Sequence, residues 1–232
     1  MIELNAQGYW EYRHDLTGII FVRLPGGKFD MGGPNTEGGS DHERPVHEVT
    51  LSPFLIAKYE VTQGQWMAVM RTNPSLFSGD DNLPVELVSW DAIQGFEMAT
   101  GLTLPTEAQW EYACRGGTTT PWAGRLNDMG WYVENSGGTT HSVGGKAPNG
   151  FGLYDMHGNV SEWCEDSQKI DFYSLPAASG PDPVFTQSFG SRIIRGGGWR
   201  YSATFCRSAY RDSDSPSSQS DSLGFRPSRQ LP

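Results

Sequence analysis

Three cysteines, Cys114, Cys164 and Cys206, are the residues most able to do redox or nucleophilic chemistry, and they lie far apart in the chain. None forms a C-x-x-C pair, so neither a disulfide framework nor a zinc site is signalled. His42 and His47 flank the stretch ERPV with no third ligand at metal spacing, so neither is read as a metal site. The sequence holds no P-loop, dinucleotide fingerprint or Ser-His-Asp order. Acidic pairs such as Glu165-Asp166 are numerous, and their spacing leaves a glycosidase-like carboxylate pair open.

Recognition chemistry is concentrated in one place. The stretch GWRYSATFCRSAYRDSDSPSSQSDSLGFR, Gly198 to Arg226, is filled with Tyr, Ser and Asp. Tyrosine gives rigid contact area at low entropic cost, while Ser and Asp add adaptable hydrogen bonds, as in antibody paratopes. Arg200, Tyr201, Ser202, Thr204, Phe205, Tyr210, Asp212, Asp214, Ser217, Gln219 and Asp221 are the candidate contact residues, with Tyr201, Phe205 and Tyr210 as anchors. Phe205 is equally a candidate for the core, where phenylalanine is most often found. A Ser/Asp segment taken alone reads as a solvated loop. Here it is framed by RIIRGGGW and LGFR and interrupted by CRSAYR, so its ends are expected to be fixed.

A rigid scaffold has to hold that segment. The 232 residues suffice for one large domain with its own core. Gly 29, Pro 15 and Trp 8 with 19% charged residues describe turns and packed aromatics rather than long solvated helices. GIIFVRLPGGKFDMGG reads as strand, turn and strand, and RPVHEVTLSPFLIAKYEVT continues as strand, with Val46, Val49 and Leu51 on one face and Pro53 as a break. Antiparallel sheet is expected. Thr62 with Gln65, Ser89, and Thr106 with Gln109 cap three short amphipathic helices; Trp66, Val69 and Met70 follow the first cap, and Ile93 and Phe96 share one face of the second. The third helix should stop at Gly116-Gly117. Residues 117–195 read mostly as turns, in one α+β unit without repeats or a long linker.

The ordered series YEVTQGQW, LPVELVSWDAI, LTLPTEAQWEYACRGG, NGFGLYDMHGNVSEW, RIIRGGGW and CRSAYR with LGFR resembles the formylglycine-generating-enzyme or sulfatase-modifying-factor family. The resemblance runs from about Ile20 to Arg226 and implies a C-type lectin fold of that enzyme's subtype, with small antiparallel sheets, short helices and much irregular structure. Residues 20–232 then form the domain, with residues 1–19 as an N-terminal extension packed on it and a variable region at about 198–226.

The family's enzymes are described as copper-dependent oxidases that use a pair of cysteines just after the glycine-rich strand. Two thiolates suit copper(I), and a lone thiol cannot supply that pair. Tyr201 stands where the first would be, and Cys206 matches either the second or a framework cysteine, so no copper is expected. The resemblance also implies calcium at Asp155, the carbonyls of Gly158 and Val160, and Glu162. Hard oxygens on a loop suit that ion, and helix capping or loop hydrogen bonding would account for the same residues. His157 in that loop is read as a packing residue.

Within the family the chain is most similar to the variable proteins of diversity-generating retroelements. Codons for Tyr, Ser, Asp, Thr and Phe are all reachable from an asparagine codon by changing its adenines. The leading expectation is therefore a receptor-type protein, not an enzyme, binding a protein or other macromolecule through a diversified surface. A family oxidase or metalloenzyme with an unorthodox centre is the alternative, and a family member with one fixed protein partner is a third. A formal net charge of -10 offers no obvious phosphate-neutralising surface, so no nucleic-acid partner is expected and an anionic membrane is a poor one. The start carries no signal-peptide pattern and no apolar run spans a membrane, so direct insertion is not expected; a cytoplasmic place, or display on a virion or cell through a partner, stays open.

Overall fold

A computed structural model describes residues 3–37 and 39–231. They form strands β1 (Glu11–Arg13), β2 (Ile20–Leu24), β3 (Gly27–Met31), β4 (His47–Leu51) and β5 (Phe54–Ala57), then helices α1 (Gln63–Met70), α2 (Trp90–Thr100), α3 (Glu107–Arg115) and α4 (Leu126–Met129). Strands β6 (Ser161–Ser167), β7 (Gly180–Pro181), β8 (Arg192–Arg195), β9 (Arg211–Asp214), β10 (Leu223–Gly224) and β11 (Ser228–Gln230) follow. The strands make three small sheets, in the orders β1-β2-β5-β11, β10-β6-β8-β9 and β3-β4-β7. This is the mixed α+β architecture of the C-type lectin fold in its formylglycine-generating-enzyme form.

The turn at Pro25-Gly26 does not close a hairpin: β2 pairs with β5, whereas β3 pairs with β4. Gly26 sits at φ +68 with a Cβ position only 2.2 Å from the Leu51 carbonyl, so the chain crosses between sheets through a point where no side chain fits. Most pairing is antiparallel, but β10 runs parallel to β6 and β7 parallel to β4. Val49 and Leu51 are buried on β4, while Val46 precedes the strand and is exposed, which corrects its expected place on that face. Pro45 and Pro53 delimit β4 as proline does where a ladder donor is absent.

The helix ends follow their capping residues. Thr62 accepts from Gln65 N–H and Thr106 from Gln109 N–H, with both glutamines returning the bond, while Ser89 accepts from Ala92 N–H. Gly116 ends α3 in the left-handed conformation. One core packs α3 on β3, β4 and β6; a second gathers Trp66, Ile93, Phe96, Trp163 and Phe225. Phe225 meets both Trp66 and Phe96 edge to face, at 5.9 and 5.4 Å. Near the N-terminus, β1 pairs with β2, and Asn5 Nδ2 donates to the Phe151 carbonyl at 3.0 Å. No helix of the described residues is long and apolar enough to cross a membrane.

A buried lattice of ions ties these elements together. Glu107 and Glu111 lie one turn apart on the inward face of α3. Glu107 accepts from Arg211 Nη2 at 2.5 Å and Arg195 Nη1 at 3.2 Å; Glu111 accepts from Arg195 Nη2 at 2.5 Å and Arg115 Nη2 at 2.7 Å. Arg226 holds Glu162 bidentately at 2.7 Å, and Arg207 holds Glu43 at 2.8 and 2.9 Å. All of these side chains are buried. Removing one member strands a charge away from water, a larger loss than the pair's net worth. Glu107→Gln is therefore expected to lower the unfolding free energy in urea by about 3–5 kcal/mol, a core-sized penalty from a change of one atom.

Candidate ligand-binding site

The framed segment is anchored by its arginines. Arg207 reaches Glu43 beneath it, and Arg211, the first residue of β9, reaches Glu107 and the His42 carbonyl. Between them, Ser208 and Ala209 are buried and present their carbonyls to Arg195. The spacing of Arg207 and Arg211 thus turns CRSAYR into a clamp on the frame, and the residues on either side are left facing out.

Tyr201, Phe205 and Tyr210 converge on the outer side of that clamp. Phe205 meets Tyr201 at 5.9 Å and Tyr210 at 5.0 Å, both edge to face. Phe205 is 38% exposed, which places it at the surface rather than in the core. Tyr201 and Tyr210 are half-buried, and Tyr210 Oη donates to Asp212 Oδ2 at 3.3 Å. These four residues, with Ser161 and Arg195 at the base, line a narrow pocket whose interior is about the size of a water molecule.

The remaining candidates lie outside it. Arg200 is exposed and pairs with Asp221 at 2.7 Å and with Ser220 at 3.0 Å, and its guanidinium lies 5.6 Å from the Tyr201 ring. Ser202 and Thr204 exchange a hydroxyl bond at 3.3 Å. Asp214 accepts from Ser218 Oγ at 2.8 Å, Ser217 meets Ser215 at 3.0 Å, and Gln219 is exposed. β9 is the edge strand of its sheet. Along it Asp212 and Asp214 each accept from the next residue's N–H, Ser213 at 2.8 Å and Ser215 at 2.7 Å. The surface is therefore a shallow patch of rings, hydroxyls and carboxylates with its own internal bonding.

Sequence reasoning missed Ser161 and Arg195 as the pocket's base, because each sits in a segment that reads as framework. The charged run RIIR, buried along β8 between two partner strands, was the available signal, since an arginine is fully buried only when paired.

All three thiols are buried and unpaired. Burial pushes the thiols of Cys114 and Cys206 up to about 12 and that of Cys164 well above its ordinary range. Cys206 packs against the Ser202 carbonyl at 3.8 Å, and Cys114 lies 3.6 Å from Ser208 Oγ. Among the described residues no group of three or more His, Cys, Asp or Glu side chains is placed to hold a metal ion. His42 contributes its carbonyl to Arg211, and His47 packs on Tyr173 with ring centroids 4.5 Å apart.

In the DMHGNVSEW loop, Asp155 sits at φ 59, accepts from Gly144 N–H at 2.7 Å, and keeps Oδ1 buried without a partner. Glu162 is held by Arg226 and by Trp110 Nε1 at 2.7 Å, and Glu60 accepts from Val160 N–H and Asn159 Nδ2. Burial and mutual repulsion raise Asp155 to about 6 and Glu60 well above the usual carboxylate range. Three buried carboxylates thus face the single guanidinium of Arg226, an excess of negative charge that a hard cation would offset. Asp155 has a free oxygen for such an ion; Glu162 would have to share its own.

The model of the sulfatase-modifying factor enzyme 1-like domain matches residues 12–231. The chain belongs to that family. It is 31% identical to the formylglycine-generating enzyme of Streptomyces coelicolor, over 88% of this chain and 87% of that one. Among solved structures, Treponema denticola variable protein 1 superposes with a TM-score of 0.82 at 29% identity, covering 96% of this chain and 99% of the other. PvdO from Pseudomonas aeruginosa superposes with a TM-score of 0.86 at 28% identity, covering 96% and 98%. The chain is thus similar both to a formylglycine-generating enzyme and to a protein named as variable.

His157 gives the site a pH signature. Its Nδ1 meets the Cys206 carbonyl at 2.9 Å, its Nε2 accepts from Ala123 N–H at 3.0 Å, and burial pulls its pKa down from 6.5 to about 4. A depressed histidine leaves the unfolded chain as the better proton acceptor, so the stability it contributes is present above pH 6.5 and is lost as pH falls toward 4. Urea unfolding from pH 6.5 to 4 should favour His157→Asn progressively over the wild type, by roughly 3 kcal/mol at the acid end; the difference between the two isolates the histidine from Asp155 and Glu60, whose raised pKa values act in the opposite sense.

Proposed function

We propose that the chain is a receptor-type binding protein that engages a protein or other macromolecule through the surface built by Tyr201, Phe205, Tyr210 and Asp212 and extended by Arg200, Ser202, Thr204, Asp214, Ser217, Gln219 and Asp221. The observation that carries this is the aromatic triad, half-exposed over a pocket while the arginines beside it are locked into the frame. Aromatic rings that are rigidly backed and still accessible are what hot spots are made of. Likeness to a protein named as variable supports the further reading that a retroelement diversifies this stretch.

The oxidase alternative has less support. Thiolate is the form that attacks and that binds copper, and each of the three thiols is buried with its ionisation suppressed. Purified protein incubated with copper(I), oxygen and a cysteine-containing sulfatase peptide is expected to leave the peptide unchanged. Conversion of its cysteine to formylglycine would restore the enzyme reading.

Calcium belongs to the proposal as a structural ion held by Asp155 with the carbonyls of Gly158 and Val160 and a share of Glu162. It would neutralise buried negative charge and brace the loop behind the pocket. Millimolar calcium is expected to raise the melting temperature of the wild type and not of Asp155→Asn; an unchanged melting temperature would remove the ion from the account.

Recognition is tested by display. A library randomised at Tyr201, Ser202, Thr204, Phe205, Tyr210 and Asp212 and selected on hen lysozyme as a probe is expected to yield folded binders. Alanine placed together at positions 201, 205 and 210 of a selected binder is expected to abolish its affinity with little shift in melting temperature. General unfolding of the library would assign these positions to the core. In the genome, a near-copy of the segment encoding Gly198 to Arg226, differing at adenines and beside a reverse transcriptase gene, is the expected mark of diversification.

A further inference from the structure

The base of the aromatic pocket holds a group that the frame leaves incomplete. Arg195 is fully buried and lines the pocket. Its Nη1 donates to Glu107 and the Ala209 carbonyl, both at 3.2 Å, and its Nη2 to Glu111 at 2.5 Å and the Ser208 carbonyl at 2.7 Å. Its Nε, also buried, has no acceptor among the described residues. A buried donor left unpaired keeps its desolvation cost uncompensated, the more so on a charged group, so an acceptor entering here recovers more than a contact on the open surface. Ser161 at the same base donates its hydroxyl to the Gly197 carbonyl at 2.9 Å, so Arg195 Nε is the donor left over.

We propose that Arg195 Nε is the polar subsite of this pocket and that it takes a neutral carbonyl oxygen from the ligand, a peptide amide presented by a protein loop. The inference rests on the recognition surface proposed above and specifies what its deepest point binds. The charges select the ligand atom. A cation, which three aromatic rings and Asp212 would otherwise attract, meets a guanidinium at the base. An anion meets the Asp212 carboxylate on the wall, and around Arg195 the carboxylates of Glu107 and Glu111 already stand opposite the guanidinium. A neutral oxygen avoids both conflicts. The pocket's size fits one such atom, with the rest of the amide lying among the rings of Tyr201, Phe205 and Tyr210.

The test uses the whole chain and reads Arg195 itself. The assigned Nε–Hε signal is followed by 15N–1H NMR during titration with N-acetylalanine methylamide, sodium acetate or tetramethylammonium chloride. A saturable shift with the amide alone is expected, and Phe205→Ala is expected to weaken it by about tenfold. Because Phe205 is at the surface and makes no ion pair, that variant keeps the fold while opening the pocket. An unmoved Arg195 signal with the amide, a saturable shift with acetate, or tetramethylammonium binding among the rings would each overturn the assignment. Library binders to lysozyme obtained beside an unresponsive Arg195 would leave the recognition surface standing and remove only this subsite.

Discussion

Everything about this protein's outer face depends on the pairing of Arg195 with Glu107 and Glu111 inside it. A guanidinium with no exposed surface survives only because two carboxylates one turn apart on α3 and two main-chain carbonyls surround it. The carbonyls come from Ser208 and Ala209, in the middle of the segment whose neighbours face the solvent. The same ion that anchors β8 to α3 therefore fixes the backbone of the proposed recognition surface. Arg211 repeats the arrangement from β9 by closing on Glu107, and Arg207 does so from the other end through Glu43.

Such a frame separates two demands that usually compete. A loop-rich surface is easily varied but badly ordered, and an ordered one is seldom free to vary. Here order is supplied from below, by side chains at Arg207, Arg211 and Cys206, while among the described residues Asp212 makes no ion pair with the frame and Phe205 stays exposed. The alternation along RDSD shows this within four residues: Arg211 points inward to a buried carboxylate, and Asp212 and Asp214 are exposed.

Much of this was legible in the sequence because local chemistry agreed with the final structure. Thr62, Ser89 and Thr106 cap the helices they precede, Gly116 ends one, and the mixed α+β lectin frame follows from the ordered motifs. The outward stretch was recognisable from Tyr, Ser and Asp between apolar brackets. What escaped was non-local. Nothing near Pro25-Gly26 announces that its two strands enter different sheets, and nothing around Val46 shows that it falls just ahead of β4. Arg195 and Ser161 read as framework because the pocket they line is assembled from β6, β8 and the segment after it. Glu43 meets Arg207 from 164 positions away, a pairing that no periodicity encodes.

The two aspartates of β9 have a second employment. An edge strand offers unclaimed main-chain donors to any neighbouring chain, and here the donors of Ser213 and Ser215 are covered by the side chains just before them. Exchanging Asp212 and Asp214 for tyrosine would uncover those donors and open a seam along which copies of the protein could zip together. What can replace those two aspartates is thus bounded by solubility.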